Sequence, residues 1–281
     1  MATPKRSTFE LVGADGRPLR GDVRTASSGA AQPAVIVAHG FKGFKDWGFF
    51  PHVADRLARA GITAVTFNFS GSGIGTDGES FSEPERFGHA TFSNDLRDIE
   101  TVRAALFAGA LAPNVPAPTT VGLWGHSRGG GAAVLYAARE RSVSALVTWA
   151  AIASPFRWDE DTLAQWRRDG KLDIVNARTG EVLPLYTDLL DDFERNAEAL
   201  DIVRAASNLT VPWLIVHGEV DESVPVAEAR RLHAAAAPAT TRLLIVQGGG
   251  HTFGARHPWA GSTAELDQAV ESTVSWLCDN L

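Results

Sequence analysis

The chain has 281 residues, which suits one large α/β domain or a core with an insertion. Its 44% hydrophobic and 21% charged content is ordinary for a globular protein, and a net charge of −7 without a basic stripe argues against nucleic acid as a partner. A single cysteine, Cys278, excludes an internal disulfide; an N-terminus without an apolar h-region and the absence of any apolar run of transmembrane length make the cytoplasm the expected location and a membrane an unexpected partner.

Ser7 to Val12 and Pro18 to Arg24 alternate moderately around Asp15-Gly16, a hairpin signal. Ser27 to Pro33 is a loop of small residues, and the apolar run Ala34 to Ala38 reads as a strand buried on both faces. It ends in His39-Gly40-Phe41-Lys42-Gly43. Asp46 to Ala60 reads as a helix with Phe50, Val53 and Leu57 on one face and Gly61 as its stop. Ile62 to Phe69 is a second buried strand, followed by a Gly-rich loop from Ser70 to Gly78. The Gly71-x-Gly73-x-Gly75 spacing opens no helix, so a dinucleotide site is not expected there. Phe92, Leu96, Ile99, Val102 and Leu106 mark an amphipathic helix, on which Asp95 and Asp98 read as helix-start or surface charge. Alternation of this kind implies a parallel sheet with helices on both faces.

The strand-like run beginning at Val121 ends at Gly125-His126-Ser127-Arg128-Gly129, and Ala132 to Arg139 reads as a helix. Strand, Gly-x-Ser-x-Gly, helix is the pattern of a nucleophile elbow. The turn forces the serine into a strained conformation and lifts its oxygen clear of the sheet. Gly125 and Gly129 are expected where a side chain would collide with the neighbouring helix or strand. The amide of Arg128 then lies at a helix N-terminus, where a forming oxyanion is stabilised.

Ser144 to Ile152 is the next strand, after which the rhythm changes. Residues 154–208 are neither Gly/Ser-rich nor poor in hydrophobics, so they are not a linker. Twelve acidic and seven basic residues give this segment −5 of the chain's −7. It carries a hairpin from Leu172 to Leu185 turning at Thr179-Gly180. It is expected to be a lid inserted into a core of residues 1–153 and 209–281. Trp158, Trp166 and Tyr186 are its candidates for the substrate wall, although aromatic residues of a lid also serve as its own core. The negative charge is expected to disfavour anionic substrates near the entrance.

The rhythm resumes with the strand Trp213 to Val216, the helix Val226 to Ala237, the strand Thr241 to Gln247 and a last helix marked by Leu266, Val270, Val274 and Leu277. A serine needs a base, and the base a carboxylate to fix its tautomer. In an open parallel sheet these gather at the carboxyl ends of strands. Asp221 follows one late strand, with Glu219 and Glu222 as rival acids; its place three residues before Val224-Pro225 favours it. His251 follows the other, with His257 as its rival. Three glycines before His251 suggest a mobile loop, whereas Pro258 pins His257 in a following turn. His39, His126 and His217 read as structural, and no histidine set has metal-ligand spacing. Lys42 and Lys45 read as solvated surface lysines, with contact to a substrate carboxylate or phenolate as the alternative.

His39-Gly40, Gly125-His126-Ser127-Arg128-Gly129, Gly218-x-x-Asp221-x-x-Val224-Pro225 and Gly250-His251 together resemble an α/β-hydrolase of the serine esterase type. With His39-Gly40-Phe41 and the compact insertion, the chain is similar to bacterial feruloyl or cinnamoyl esterases. The resemblance implies Ser127 as nucleophile, His251 as base and Asp221 as its orienter, with the Phe41 and Arg128 amides as oxyanion hole. It implies an α/β-hydrolase fold, a mostly parallel sheet with helices on both faces, and acyl transfer to water without a cofactor. The aromatic residues of the insertion make short-chain or aromatic acyl esters the expected substrates, with no metal and a monomer or homodimer expected. A serine peptidase or an acyltransferase on the same three residues are the alternatives. A non-catalytic binding protein is disfavoured because it has no use for all three.

Overall fold

The computed structural model describes residues 3–26, 29–176 and 180–281. Ser27 of the expected loop and Thr179 of the expected hairpin turn lie outside the described residues. Strands β1 (Lys5–Val12) and β2 (Pro18–Thr25) form the antiparallel hairpin signalled by Asp15-Gly16, with Gly16 at φ 77°. Next come β3 (Ala34–Ala38), helix α1 (Phe49–Arg59) and β4 (Thr63–Phe67). The Gly-rich loop contains a single 3₁₀ turn, Ser70–Ser72, and leads to the short α2 (Pro84–Gly88) and to α3 (Phe92–Phe107). The elbow joins β5 (Val121–His126) to α4 (Arg128–Ala137), and β6 (Val143–Trp149) follows.

Between β6 and the next sheet strand lie α5 (Glu160–Asp169), the hairpin β7 (Lys171–Val175) with β8 (Val182–Tyr186), α6 (Asp188–Asn196) and α7 (Ile202–Ser207). The chain closes with β9 (Trp213–Gly218), α8 (Val226–Ala235), β10 (Thr241–Val246) and α9 (Ala264–Asn280). Eight strands form the main sheet in the order β1-β2-β4-β3-β5-β6-β9-β10. β2 pairs antiparallel with β1 and β4, and every other pairing is parallel. This is the α/β-hydrolase fold that the resemblance implies.

Side chains alternate across the central strands, which is why those strands read as continuous apolar runs. Ile36, Leu123, Leu146 and Ile215 pack on one face with residues of α3, α4 and α8. Val35, Val37, Trp124, Val147 and Val216 pack on the other with α1 and α9. The described residues of the 154–208 segment add no strand to the main sheet, yet Trp166, Leu183, Leu185, Leu190 and Phe193 join the cluster on the α3/α4 side.

Two helices begin elsewhere than expected. α1 starts at Phe49 rather than Asp46, because residues 44–50 make turn hydrogen bonds and Gly48 stands at φ 45°. α4 starts at Arg128 rather than Ala132, because the elbow itself launches the helix. Asp95 and Asp98 are buried on α3 rather than surface charges. Asp98 accepts the amides of Ala14 and Ser70, each at 2.7 Å, and so ties the first hairpin to the loop after β4.

Candidate active site

Ser127 sits between β5 and α4 at φ 56° and ψ −119°, a region that side chains rarely adopt. Sterics around it are severe. A Cβ on Gly125 would lie 2.3 Å from the carbonyl oxygen of Gly129, and one on Gly129 would lie 2.3 Å from that of His39. Only glycine lets the helix start this close to the strand. As the first residue of α4, Arg128 has an amide without an intrahelical acceptor. The loop after β3 approaches the same point: a Cβ on Gly40 would stand 3.0 Å from that of Ser127. Gly40 and Gly43 close a turn at 3.0 Å that holds Phe41 and Lys42 at its tip, with Lys42 at φ 55°.

Asp221 and His251 come from the turns after β9 and β10. Those turns press together, since a Cβ on Gly218 would meet the carbonyl oxygen of Gly249 at 2.2 Å. His251 Nδ1 donates to Asp221 Oδ2 at 2.8 Å. A carboxylate only accepts, so this bond leaves Nε2 of His251 as the proton acceptor. Asp221 also receives the amides of Ser223 (2.9 Å) and Val224 (2.8 Å). Burial alone would push its carboxyl up, but His217 Nε2 standing 3.4 Å away and the hydrogen bonds from His251 and Val224 outweigh burial and hold it well below the usual carboxylate range. Of the rival acids, Glu219 instead receives the Gly248 amide. The rival base His257 receives the Gly48 amide and stacks on Trp47, away from the cavity.

The three remaining histidines named above hold this framework. His126 Nε2 donates to the carbonyl of His251 at 3.0 Å, and burial lowers its pKa to about 3. His39 Nδ1 donates to the carbonyl of Gly40 while Nε2 accepts the Phe69 amide; burial lowers its pKa to about 4, so it is neutral. His217 Nε2 donates to the carbonyl of Val224. Two residues after His251, Phe253 is buried against Trp149.

Ser127, Arg128, Phe41 and His251 line one cavity of about 330 Å³. Among the described residues Ser127 Oγ makes no hydrogen bond to His251; such bonds commonly tighten only when substrate binds. Phe92, Ile152, Leu189 and Val224 supply an apolar wall that sequence reasoning missed. Phe92 was legible only as the buried face of a helix, and no local signal marks it as a wall. Trp158 lines the cavity. Trp166 does not: it is fully buried behind Trp158, ring centroids 5.1 Å apart, within the apolar core of the 154–208 segment. Tyr186 is likewise elsewhere, with its hydroxyl on Glu85 and its ring against His89.

Lys45 is a buried residue, not a solvated one. Its Nζ donates to Asp22 Oδ2 at 2.6 Å and also meets Asp46, while its amide donates to Asn68 at 2.7 Å. These bonds fasten the 39–45 loop to β2 and to the end of β4. Behind the elbow, Arg128 Nε donates to buried Asp95 at 2.8 Å, and its guanidinium lies 4.4 Å from the Phe92 ring centre. Burial, partly offset by Arg128, raises the Asp95 pKa to about 6. Among the described residues no group of three or more His, Cys, Asp or Glu could hold a metal ion. No helix among them is long and apolar enough to cross a membrane.

The fold is shared with several solved structures. Est1E from Butyrivibrio proteoclasticus with ferulic acid bound has a TM-score of 0.72 at 21% identity, over 96% of this chain and 98% of that one. DcsB in complex with its substrate analogue has a TM-score of 0.75 at 17% identity, over 99% and 100%. A puromycin-hydrolyzing peptidase from Mycobacterium tuberculosis has 0.66 at 20% identity, over 99% of this chain and 39% of that one. No curated protein sequence matches. Residues 29–171, half of the chain and the part that contains Ser127, match the family described as serine aminopeptidase, S33, and the chain therefore belongs to this family of α/β-hydrolases.

Proposed function

We propose that the protein is a serine carboxylesterase acting on short-chain or aromatic acyl esters. The observation that carries the reading is the pairing of His251 Nδ1 with Asp221 on the wall of the cavity that also exposes Ser127 at its strained turn. Ser127 attacks the ester carbonyl while His251 Nε2 takes its proton. Negative charge on the carbonyl oxygen is received by the Phe41 and Arg128 amides. His251 then protonates the leaving alcohol and activates a water that releases the acyl group. Asp221, held ionised, stabilises the imidazolium formed in both steps. Residues 154–208 act as the lid, because Pro155, Arg157, Trp158 and Leu189 close one side of the cavity. The cavity size and its aromatic wall suit a flat or short acyl group, and Est1E holds ferulic acid on the same fold. The proposed setting is the cytoplasm, with water as acyl acceptor and no cofactor, in a monomer or homodimer.

The family description favours a second reading, an aminopeptidase. A substrate with a free α-ammonium needs a carboxylate to receive it, and among the described residues that line the cavity none is Asp or Glu. Ser127→Ala tests the first reading. Ester turnover is expected to fall about 10⁵-fold or more with the circular dichroism spectrum unchanged, and a fluorophosphonate is expected to label the parent at Ser127 alone. Near-parental activity in the folded variant would end the reading. Cleavage of aminoacyl anilides faster than of acyl esters would replace it with the peptidase.

A further inference from the structure

The charge of the 154–208 segment and the charge of the cavity it closes have opposite signs. The segment is acidic, and its net −5 predicts an entrance hostile to anions. Several of its carboxylates, however, are held elsewhere. Asp191 and Glu194 hold Arg167, Asp192 receives Ser93, and Asp188 pairs with His89. Asp159 and Asp201 cap α5 and α7. Among the described residues that line the cavity, Lys42, Arg128 and Arg157 are cations and none is a carboxylate.

These cations differ in how they are held. Arg128 is committed to buried Asp95, and Lys42 Nζ donates to the carbonyl of Val175 at 3.3 Å. Arg157 is about one-third exposed. Its Nη2 donates to the carbonyl of Ser223 at 2.6 Å, which fixes the guanidinium beside the turn that carries Asp221. The same Nη2 forms an ion pair with Glu228 Oε1 at 3.6 Å, while Glu228 Oε2 takes the Ala153 amide at 2.6 Å. Nε and Nη1 of Arg157 have no hydrogen-bond acceptor among the described residues. A guanidinium fixed by one nitrogen, with N–H groups to spare on a cavity wall, is built to receive a carboxylate. With Glu228 alongside, its field suits a monoanion.

We infer that the natural ester carries a carboxylate as well as the scissile bond, and that Arg157 binds that carboxylate; the inference rests on the esterase reading of Ser127. The carboxylate can stand on the acyl group or on the leaving alcohol. Two pairs of esters that differ by CH₃ against COO⁻ separate these: methyl valerate with monomethyl glutarate, and propyl butyrate with 3-butyryloxypropanoate. In one pair or the other, kcat/KM is expected to favour the anionic ester at least tenfold at low ionic strength, and less in 0.5 M salt. Arg157→Met is expected to cut that ratio tenfold or more, and Arg157→Lys to retain part of it. The ratio compares two substrates on one enzyme, so a loss of folded protein does not mimic the result. A parent that prefers the neutral ester in both pairs, or an Arg157→Met ratio equal to the parent's, overturns the inference while leaving a Ser127-dependent esterase intact. Ester turnover that survives Ser127→Ala, or no ester turnover in the parent, overturns the esterase reading itself.

Discussion

Ser127, Asp221 and His251 stand on turns whose backbones are fixed by the sheet, whereas Arg157 and Trp158 are carried by a segment that pairs with none of its strands. The turns have no steric latitude: atoms added at Gly125, Gly129 or Gly218 would fall within 2.4 Å of a neighbouring carbonyl oxygen. The 154–208 segment instead keeps its place by side-chain contacts: burial of Trp166, Leu185 and Phe193, and polar ties such as Asp192 to Ser93 and Arg157 to the Ser223 carbonyl. On the proposed reading, reaction chemistry rests on positions dictated by backbone packing, and choice of substrate on side chains placed by tertiary contacts of the segment. Changes on the first region are expected to act on rate, and changes on the second to act on substrate ranking or stability.

The largest expected effect belongs to the backbone-fixed region. Asp221→Asn keeps the shape of the side chain but replaces an acceptor with an amide that can donate to His251 Nδ1. The imidazole then carries its proton on Nε2, the wrong tautomer for a base. A loss of about 10⁴ in kcat is expected, with little change in melting temperature. Glu222→Gln, one residue away on the same turn, is expected to be near parental. If the two results are exchanged, Asp221 is only a turn residue and the comparison fails on its first side.

How much of this was legible in the sequence follows the same division. Gly-x-Ser-x-Gly between an apolar run and a helix specifies the elbow locally, because the steric demand lies within five residues. The buried strands were equally plain, since burial on both faces leaves no polar alternation to misread. Lys45, Asp95 and Asp98 were misread as surface charges for one reason. Their partners are far away in the chain, on Asp22, Arg128 and the Ala14 amide, and a charge is buried only where such a partner waits. Trp166 and Tyr186 could not be separated from Trp158 by composition, because which face of a small apolar cluster looks into a cavity is settled by tertiary packing. The same holds for charge near the cavity: the segment as a whole is negative, whereas the charged residues that line the cavity are Lys42, Arg128 and Arg157.

Two tryptophans sharpen the second side of the comparison. Trp158 is a cavity wall and Trp166, directly behind it, is fully buried. Trp158→Ala is expected to change the ratio of kcat/KM between aromatic and acetyl esters by about tenfold, the scale of a pocket contact. Trp166→Ala leaves a cavity in the core and is expected to cost about 3–5 kcal/mol of stability, read as a lower urea midpoint, with the substrate ratio moved less. A Trp166→Ala protein of parental stability would mean that the segment does not depend on this cluster.

The smallest effect returns to the backbone-fixed region and concerns proton binding rather than rate. His39 is held neutral by burial, with its pKa lowered from 6.5 to about 4, and both of its nitrogens are used to join the 39–45 loop to the residue after Asn68. For a histidine with a lowered folded value, the unfolded chain takes the proton first. The sign is therefore a loss of stability as pH falls below 6.5, continuing until the pH reaches about 4. His126, lowered to about 3, acts in the same sense. Asp95 acts in the opposite sense, since a carboxyl raised to about 6 takes its proton first in the folded state and gains stability as pH falls through that value. The parent's own pH dependence is thus a sum of opposed contributions, and the informative quantity is the difference between the parent and His39→Gln. Between pH 7.5 and 5.5 the parent is expected to lose about 1.4 kcal/mol more than the variant in urea unfolding, the value of one pH unit below an unperturbed histidine. Equal losses in the two proteins would mean that His39 takes its proton as readily in the folded chain as in the unfolded one, giving up the Phe69 amide at Nε2, and that the loop is less rigidly seated than the turns around it.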